Sequence, residues 1–177
     1  MSVEIIFENH STSADNEHRV ASGWLDGCLS DKRKKQAKAL GERRLTERID
    51  AIFSSDLARA IETTNIAFGG SGVPVYLDKR LRECYGTLNG APVTQLEAER
   101  SKHIDEPFLE GESYRDVVRR AQDFLNDLSR DWNGKRVVLI GHSATRWALE
   151  VLLSGKALTD VVSAPYVWQE GWRYVLP

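Results

Sequence analysis

The sequence is short of what would point to a metal, a membrane or a nucleic acid. It has two cysteines and four histidines in 177 residues. Cys28 and Cys84 lie far apart and neither belongs to a C-x-x-C pair, so they form no zinc pattern and no disulfide framework. No two histidines have the helical spacing of a metallohydrolase, and no metal is expected. No apolar run approaches the roughly 20 residues of a membrane span. The formal net charge of -2 leaves no electrostatic case for nucleic acid as a partner. The opening residues lack a basic segment, and the apolar run behind them is too short for a signal peptide. A reduced, cytoplasmic protein is therefore expected, with neither a membrane nor a nucleic acid as partner. Internal repeats and low-complexity tracts are also missing. One domain over residues 1–177 is expected, large enough for a proper core.

What is present is an alternation of short apolar runs and amphipathic stretches. Ile5-Ile6-Phe7, ended by Glu8-Asn9-His10, reads as a buried strand of a parallel sheet. Residues 11–27 are polar and turn-rich, and no regular element is expected there. Ser30 is a candidate N-cap for a helix over residues 31–48, with Ala37, Leu40, Arg44 and Leu45 as its narrow inner stripe. Strands over 49–53 and 73–77 flank a helix over 57–68 that Ser55 or Asp56 can cap. A further helix is expected over 92–101. Ser113 and Asp116 have the form of a capping box, opening a long amphipathic helix to about Trp132. Asn133-Gly134 turns into a strand over 136–140, which ends in Gly141-His142-Ser143 and leads into a helix over 144–153. The aromatic tail, residues 166–176, adds a last strand, with Trp168 and Trp172 in core or edge packing. Strand and helix alternate throughout, so the class is α/β with a largely parallel sheet.

Two strands thus end in histidine, His10 and His142. In a parallel sheet both ends open on the edge where such folds bind ligands. Arg59 falls in the first turn of its helix, where a cation opposes the helix dipole and suggests an anionic partner. Imidazole can attack phosphorus. Cations and N–H donors suit the oxygens of a transferring phosphoryl group, and the helix start after His142 adds more donors. A carboxylic acid such as Glu83 can protonate a leaving alkoxide.

Taken together, the motifs resemble the histidine phosphatase superfamily, also called phosphoglycerate mutase-like, over nearly the whole chain. Asn9-His10-Ser11 stands where that family has Arg-His-Gly, and Asn16 matches a following asparagine. Gly23-Trp24-Leu25-Asp26 with Leu29-Ser30, and Gln36-Ala37, are similar to its next motifs. Ser54-Ser55-Asp56-Leu57-Ala58-Arg59-Ala60 is a close match to its Ser-Ser-x-Leu-x-Arg-Ala segment. Leu81-x-Glu83 before Tyr85-Gly86, Gly111-Glu112-Ser113, and Gly141-His142 with Arg146 complete the series. The resemblance implies a three-layer sandwich with helices on both faces of a mostly parallel sheet. It implies His10 as the nucleophile that becomes phosphohistidine and Glu83 as proton donor and later base. Asn9, Asn16, Arg59, His142 and Ser143 would bind phosphate, and Arg19 and Trp24 are candidates on the substrate side. No cofactor is implied, and the partner is a small phosphorylated substrate or inorganic phosphate.

Two departures carry weight. Asn9 removes a charged, bidentate phosphate contact, worth about 1.5–3 kcal/mol as a charge-assisted hydrogen bond. Arg19 is a candidate to replace that charge. The interval from Glu83 to the Tyr85-Gly86 pair is one residue shorter than usual, which leaves Asp78 and Glu112 as fallback acids. Gly141-His142-Ser143-Ala144-Thr145 also looks like a nucleophile elbow. That reading fails because an elbow serine needs a later histidine, and His142 is the last. Trp24 is read as a loop anchor ahead of a substrate platform, and His18 and His103 as surface residues. The chain is expected to hydrolyse phosphomonoesters. The short segment between Gly86 and Gly111 argues against a mutase. The rival reading is a weak or inactive module that binds a phosphorylated ligand. Substrate identity and oligomeric state are not readable from the sequence.

Overall fold

The computed structural model describes residues 2–27 and 31–177. The elements are β1 (Val3–Asn9), α1 (Ala14–Glu17), α2 (Asp31–Arg44), β2 (Ala51–Ser54), α3 (Ala58–Phe68), β3 (Val75–Leu77), α4 (Val93–Glu99), α5 (Tyr114–Asp131), β4 (Arg136–Gly141), α6 (Ser143–Ser154), α7 (Leu158–Ser163) and β5 (Trp172–Leu176), with 3-10 turns at Lys79–Leu81 and Arg100–His103. The sheet runs β3-β2-β4-β1-β5, parallel except for β5, which pairs antiparallel with β1.

The period-2 geometry of the strands divides the core into two layers. Ile5, Phe7, Phe53, Val137 and Leu139 face Phe124, Leu125 and Leu128 of α5 and Leu149 of α6. Ile6, Ile52, Val138 and Ile140 face Leu40 of α2 and Ala60, Ala67 and Phe68 of α3. A sheet buried on both faces explains why its strands are continuous apolar runs. Helices α2 and α3 pack so closely that a Cβ on Gly41 would lie 2.0 Å from the Ala67 carbonyl oxygen. A third cluster, built from Cys84, Leu96, Phe108, Tyr114 and Trp147, supports the wall over the sheet edge.

Several expectations need correction. Residues 11–27 do hold one short helix, α1, whose start is braced by Ser13 and Asn16 side chains. Helix α2 ends at Arg44 rather than residue 48, leaving Leu45 exposed, while Arg44 is drawn inward by Glu8 at 2.6 Å. Helix α3 has Leu57 as its N-cap and no side-chain cap. Of the two predicted caps, Ser55 accepts the Leu57 N–H at 3.3 Å, short of the helix itself, and also meets His142, while Asp56 holds Arg82. The capping box of Ser113 and Asp116 is present. Trp172 packs edge-on against Phe7, but Trp168 is 65% exposed and joins neither core nor strand. His103 is half-buried at the surface and stacks on Phe108 with centroids 3.9 Å apart. The expected N-cap Ser30, the Leu29-Ser30 motif and Cys28 lie outside the described residues.

Candidate active site

Strands β1 and β4 are neighbours, with Asn9 opposite Gly141, and the pairing continues as the His10 N–H donates to the Gly141 carbonyl at 3.1 Å. This register sets His10 beside His142, ring centroids 4.9 Å apart. Between them reaches Arg59 from the first turn of α3. Its Nε donates to His10 Nε2 at 3.2 Å, and its Nη2 meets His142 Nδ1 at 3.3 Å and donates to the Gly23 carbonyl at 2.7 Å. Arg59 is 2% exposed and has no carboxylate within 4.0 Å among the described residues. Its burial pulls its pKa down, with Glu83 opposing from a distance. A buried cation without an ion-pair partner is costly, and it makes this site receptive to an anion.

These contacts also fix the histidine tautomers. His10 Nδ1 lies 2.6 Å from the Ser11 carbonyl, which can only accept, so Nδ1 carries the proton. That leaves a lone pair on Nε2, the atom facing Arg59. Because a guanidinium only donates, His142 Nδ1 is likewise an acceptor, and its Nε2 donates to Ser55 Oγ at 2.9 Å. Burial first, then Arg59, lowers the pKa of His10 to about 3. Burial, His10 and Arg59 hold His142 well below the ordinary imidazole range. Both rings are neutral at neutral pH.

Glu83 is 6% exposed, and its Oε1 accepts the backbone N–H of Cys84 at 2.9 Å and of Ala144 at 3.2 Å. Burial raises its pKa above the usual carboxylate range, outweighing those donors and Arg59. The segment carrying it is clamped from three sides. Trp24 Nε1 donates to the Glu83 carbonyl at 2.6 Å, Thr145 Oγ1 to the Leu81 carbonyl at 2.9 Å, and Arg120 to the Arg82 carbonyl at 2.7 Å. The fallback acids have other work: Asp78 holds Arg80, and Glu112 holds Arg120.

A cavity of about 410 Å³ opens over this cluster, lined by Asn9, His10, Asn16, Arg19, Arg59, Glu83 and Ser143 among the predicted residues. His142 does not line it; the ring is 1% exposed and meets the cavity group through Arg59 and His10. Trp24 does not line it either, and its indole serves Glu83 instead of a substrate. Sequence reasoning missed Tyr166 and Arg100, which both line the cavity. Asn9 Nδ2 donates to the Tyr166 hydroxyl at 3.2 Å, so one neighbour is a phenol from the segment before β5. No local pattern announces either residue, because each reaches the cavity through tertiary packing. Among the described residues no group of three or more His, Cys, Asp or Glu is placed to hold a metal, and no helix is long and apolar enough to cross a membrane.

Known proteins share this architecture. YhfR of Bacillus stearothermophilus superposes with a TM-score of 0.82 at 25% identity, over 95% of this chain and 88% of its own. A mycobacterial glucosyl-3-phosphoglycerate phosphatase in complex with VO3 gives 0.81 at 25% identity, over 92% and 87%. Phosphoserine phosphatase 1 of Hydrogenobacter thermophilus is 30% identical over 167 residues, or 89% of this chain and 79% of the relative. A phosphoglycerate mutase of Bifidobacterium longum is 34% identical, over only 62% of this chain and 46% of its own. The model of the histidine phosphatase superfamily (branch 1) matches residues 5–165, and the chain belongs to that family.

Proposed function

We propose that this chain hydrolyses phosphate monoesters of small metabolites through a phosphohistidine at His10, as a single cytoplasmic domain over residues 1–177. The observation that carries the reading is Arg59, a buried guanidinium with no carboxylate partner, held against the free Nε2 of His10. In the first step Arg59 turns to the phosphoryl oxygens and Nε2 attacks phosphorus. The N–P bond forms as the P–O bond breaks, and the leaving alkoxide takes the proton of Glu83. In the second step the Glu83 carboxylate takes a proton from water. The hydroxide adds to phosphorus, the N–P bond breaks, and inorganic phosphate leaves. The Ser11 carbonyl holds the Nδ1 proton throughout, keeping the nucleophile on Nε2. Asn16 and Ser143 line the cavity as further phosphate donors, while His142 acts by holding Arg59. Hydrolysis is favoured over mutase chemistry because residues 87–110 offer little chain to enclose an intermediate. The named substrates of the phosphoserine and glucosyl-3-phosphoglycerate phosphatases are small phosphorylated metabolites of the kind proposed.

The test is p-nitrophenyl phosphate turnover from acidic to neutral pH with a chelator present, for the wild type and His10→Ala. Turnover that falls at least ~10⁴-fold in the variant supports the mechanism. Phosphate binding without any turnover would replace it with the binding-module reading. Turnover that survives in His10→Ala would remove His10 as nucleophile.

A further inference from the structure

Among the described residues every arginine has a carboxylate oxygen within 4.0 Å, except three. The exceptions are Arg19, Arg59 and Arg100, and all three line the same cavity. In a chain with more acidic than basic residues, pairing is available nearly everywhere, so three unpaired guanidiniums converging on one space is a pattern. Arg59 accounts for the phosphoryl group. Two cations are left over.

Each of the two is held in place. Arg100 donates to the Ala164 carbonyl at 3.2 Å and lies over the Trp147 ring at 5.7 Å from the centroid. These contacts orient the fork without neutralising it. Arg19 has a backbone φ of +56°, a left-handed conformation that disfavours any side chain. Its carbonyl accepts the N–H of Val93 at 2.8 Å, which ties it to the start of α4, the helix that leads directly into Arg100. Strain at a non-glycine residue on a cavity rim is the kind of feature that persists for the sake of its side chain. The cavity also holds Glu83, which burial biases towards its neutral form, and Glu97. The three arginines still dominate the charge presented to a ligand.

We infer that Arg19 and Arg100 form a second anion subsite, and that the substrate is a phosphomonoester carrying a second anionic group, a carboxylate or another phosphate. This rests on the phosphatase reading above and adds the substrate class to it. A guanidinium pairs with either group through charge-assisted hydrogen bonds.

The test compares glycerol 3-phosphate with 3-phosphoglycerate, which differ by a hydroxymethyl against a carboxylate, and with glycerol 1,3-bisphosphate. In the wild type, kcat/KM is expected to be at least tenfold higher for one or both of the doubly anionic compounds, mainly through KM. The better of the two identifies the second group. In Arg19→Gln and Arg100→Gln the loss on that compound should exceed the loss on glycerol 3-phosphate by about tenfold. Arg19→Gly separates charge from backbone: it should retain or raise Tm while losing the same preference. Equal kcat/KM for all three compounds in the wild type, or equal losses in the variants, would overturn the subsite and leave the phosphatase reading intact. Dissociation constants of the same compounds, measured by calorimetry on His10→Ala with and without the arginine substitutions, test the subsite even if no compound is turned over. There too, a preference abolished by the substitutions supports it, and no preference overturns it.

Discussion

The inner and outer ends of the cavity are built on opposite plans. At the inner end, Arg59, Glu83 and the supporting His142 are nearly inaccessible, and they and His10 bond to one another or to backbone. They come from strand ends, helix starts and a clamped turn, whose positions the sheet register fixes. At the outer end, Arg19 and Tyr166 are exposed on connecting segments and Asn16 is exposed on the short helix α1. The contrast suggests a division of labour: a rigid, desolvated end suits charge development at phosphorus, and a loop-built end suits choosing among substrates.

The comparison can be broken first at Glu83. Glu83→Gln keeps the shape and the two backbone contacts but cannot transfer a proton, and kcat should fall by roughly 10²–10⁴-fold. The pH profile sharpens this. In the proposed mechanism His10 must be neutral to attack, so activity is expected to be lost as pH falls through about 3. Glu83 must be protonated for the first step, so activity is lost as pH rises through its raised pKa. The variant should lack that upper limb. Depressed imidazole pKa values also act on stability. Stability from His10 and His142 is fully present above the ordinary imidazole value and is lost as pH falls below it, for His10 down through about 3. Acid melts of the phosphate-free wild type against His10→Asn would show a flatter decline in the variant.

Next comes Arg59. Arg59→Gln should lower kcat/KM by ~10²–10³-fold. It should also abolish the thermal shift produced by inorganic phosphate, which for the wild type amounts to about 2.7 kcal/mol at a hundred times Kd. A preserved shift would place the phosphate elsewhere.

The smallest effect belongs to the boundary between the two ends. Asn9→Ala and Tyr166→Phe should each reduce phosphate affinity by no more than about tenfold, with a double mutant showing less than the sum. Strict additivity would mean that the 3.2 Å contact carries no function.

How much of this was legible in the sequence follows the same boundary. The inner end was readable because its residues sit at fixed offsets from apolar runs: His10 after Phe7, His142 after Ile140, and Arg59 in the first turn of a helix. Parallel pairing of β1 with β4 then brings the histidines together without any further information. The outer end was readable only at Asn16 and Arg19, since Arg100 and Tyr166 reach the cavity through a 3-10 turn and an irregular segment. Trp24 shows a third case. Its motif pointed to the site, but a motif cannot tell a side chain that meets a ligand from one that steadies the residue that does. The caps of α3 failed for a related reason. Ser55 and Asp56 have the chemistry of caps, but His142 and Arg82 compete for them, and those partners are distant in sequence.

The antiparallel pairing of β5 on β1 makes one strand the ruler for both ends of the cavity. Strand β1 delivers His10 at its carboxyl end, and along its length it sets the register of β5 through Val3–Leu176 and Phe7–Trp172. Tyr166 hangs from the chain that enters β5. A two-residue slip of β5 preserves which side chains face the core, yet carries everything upstream by about 6.6 Å. Changes of two residues in the connection before β5 would therefore re-cut the mouth of the cavity while His10 stays where it is. A lineage with this topology can change what it admits without renegotiating how it reacts.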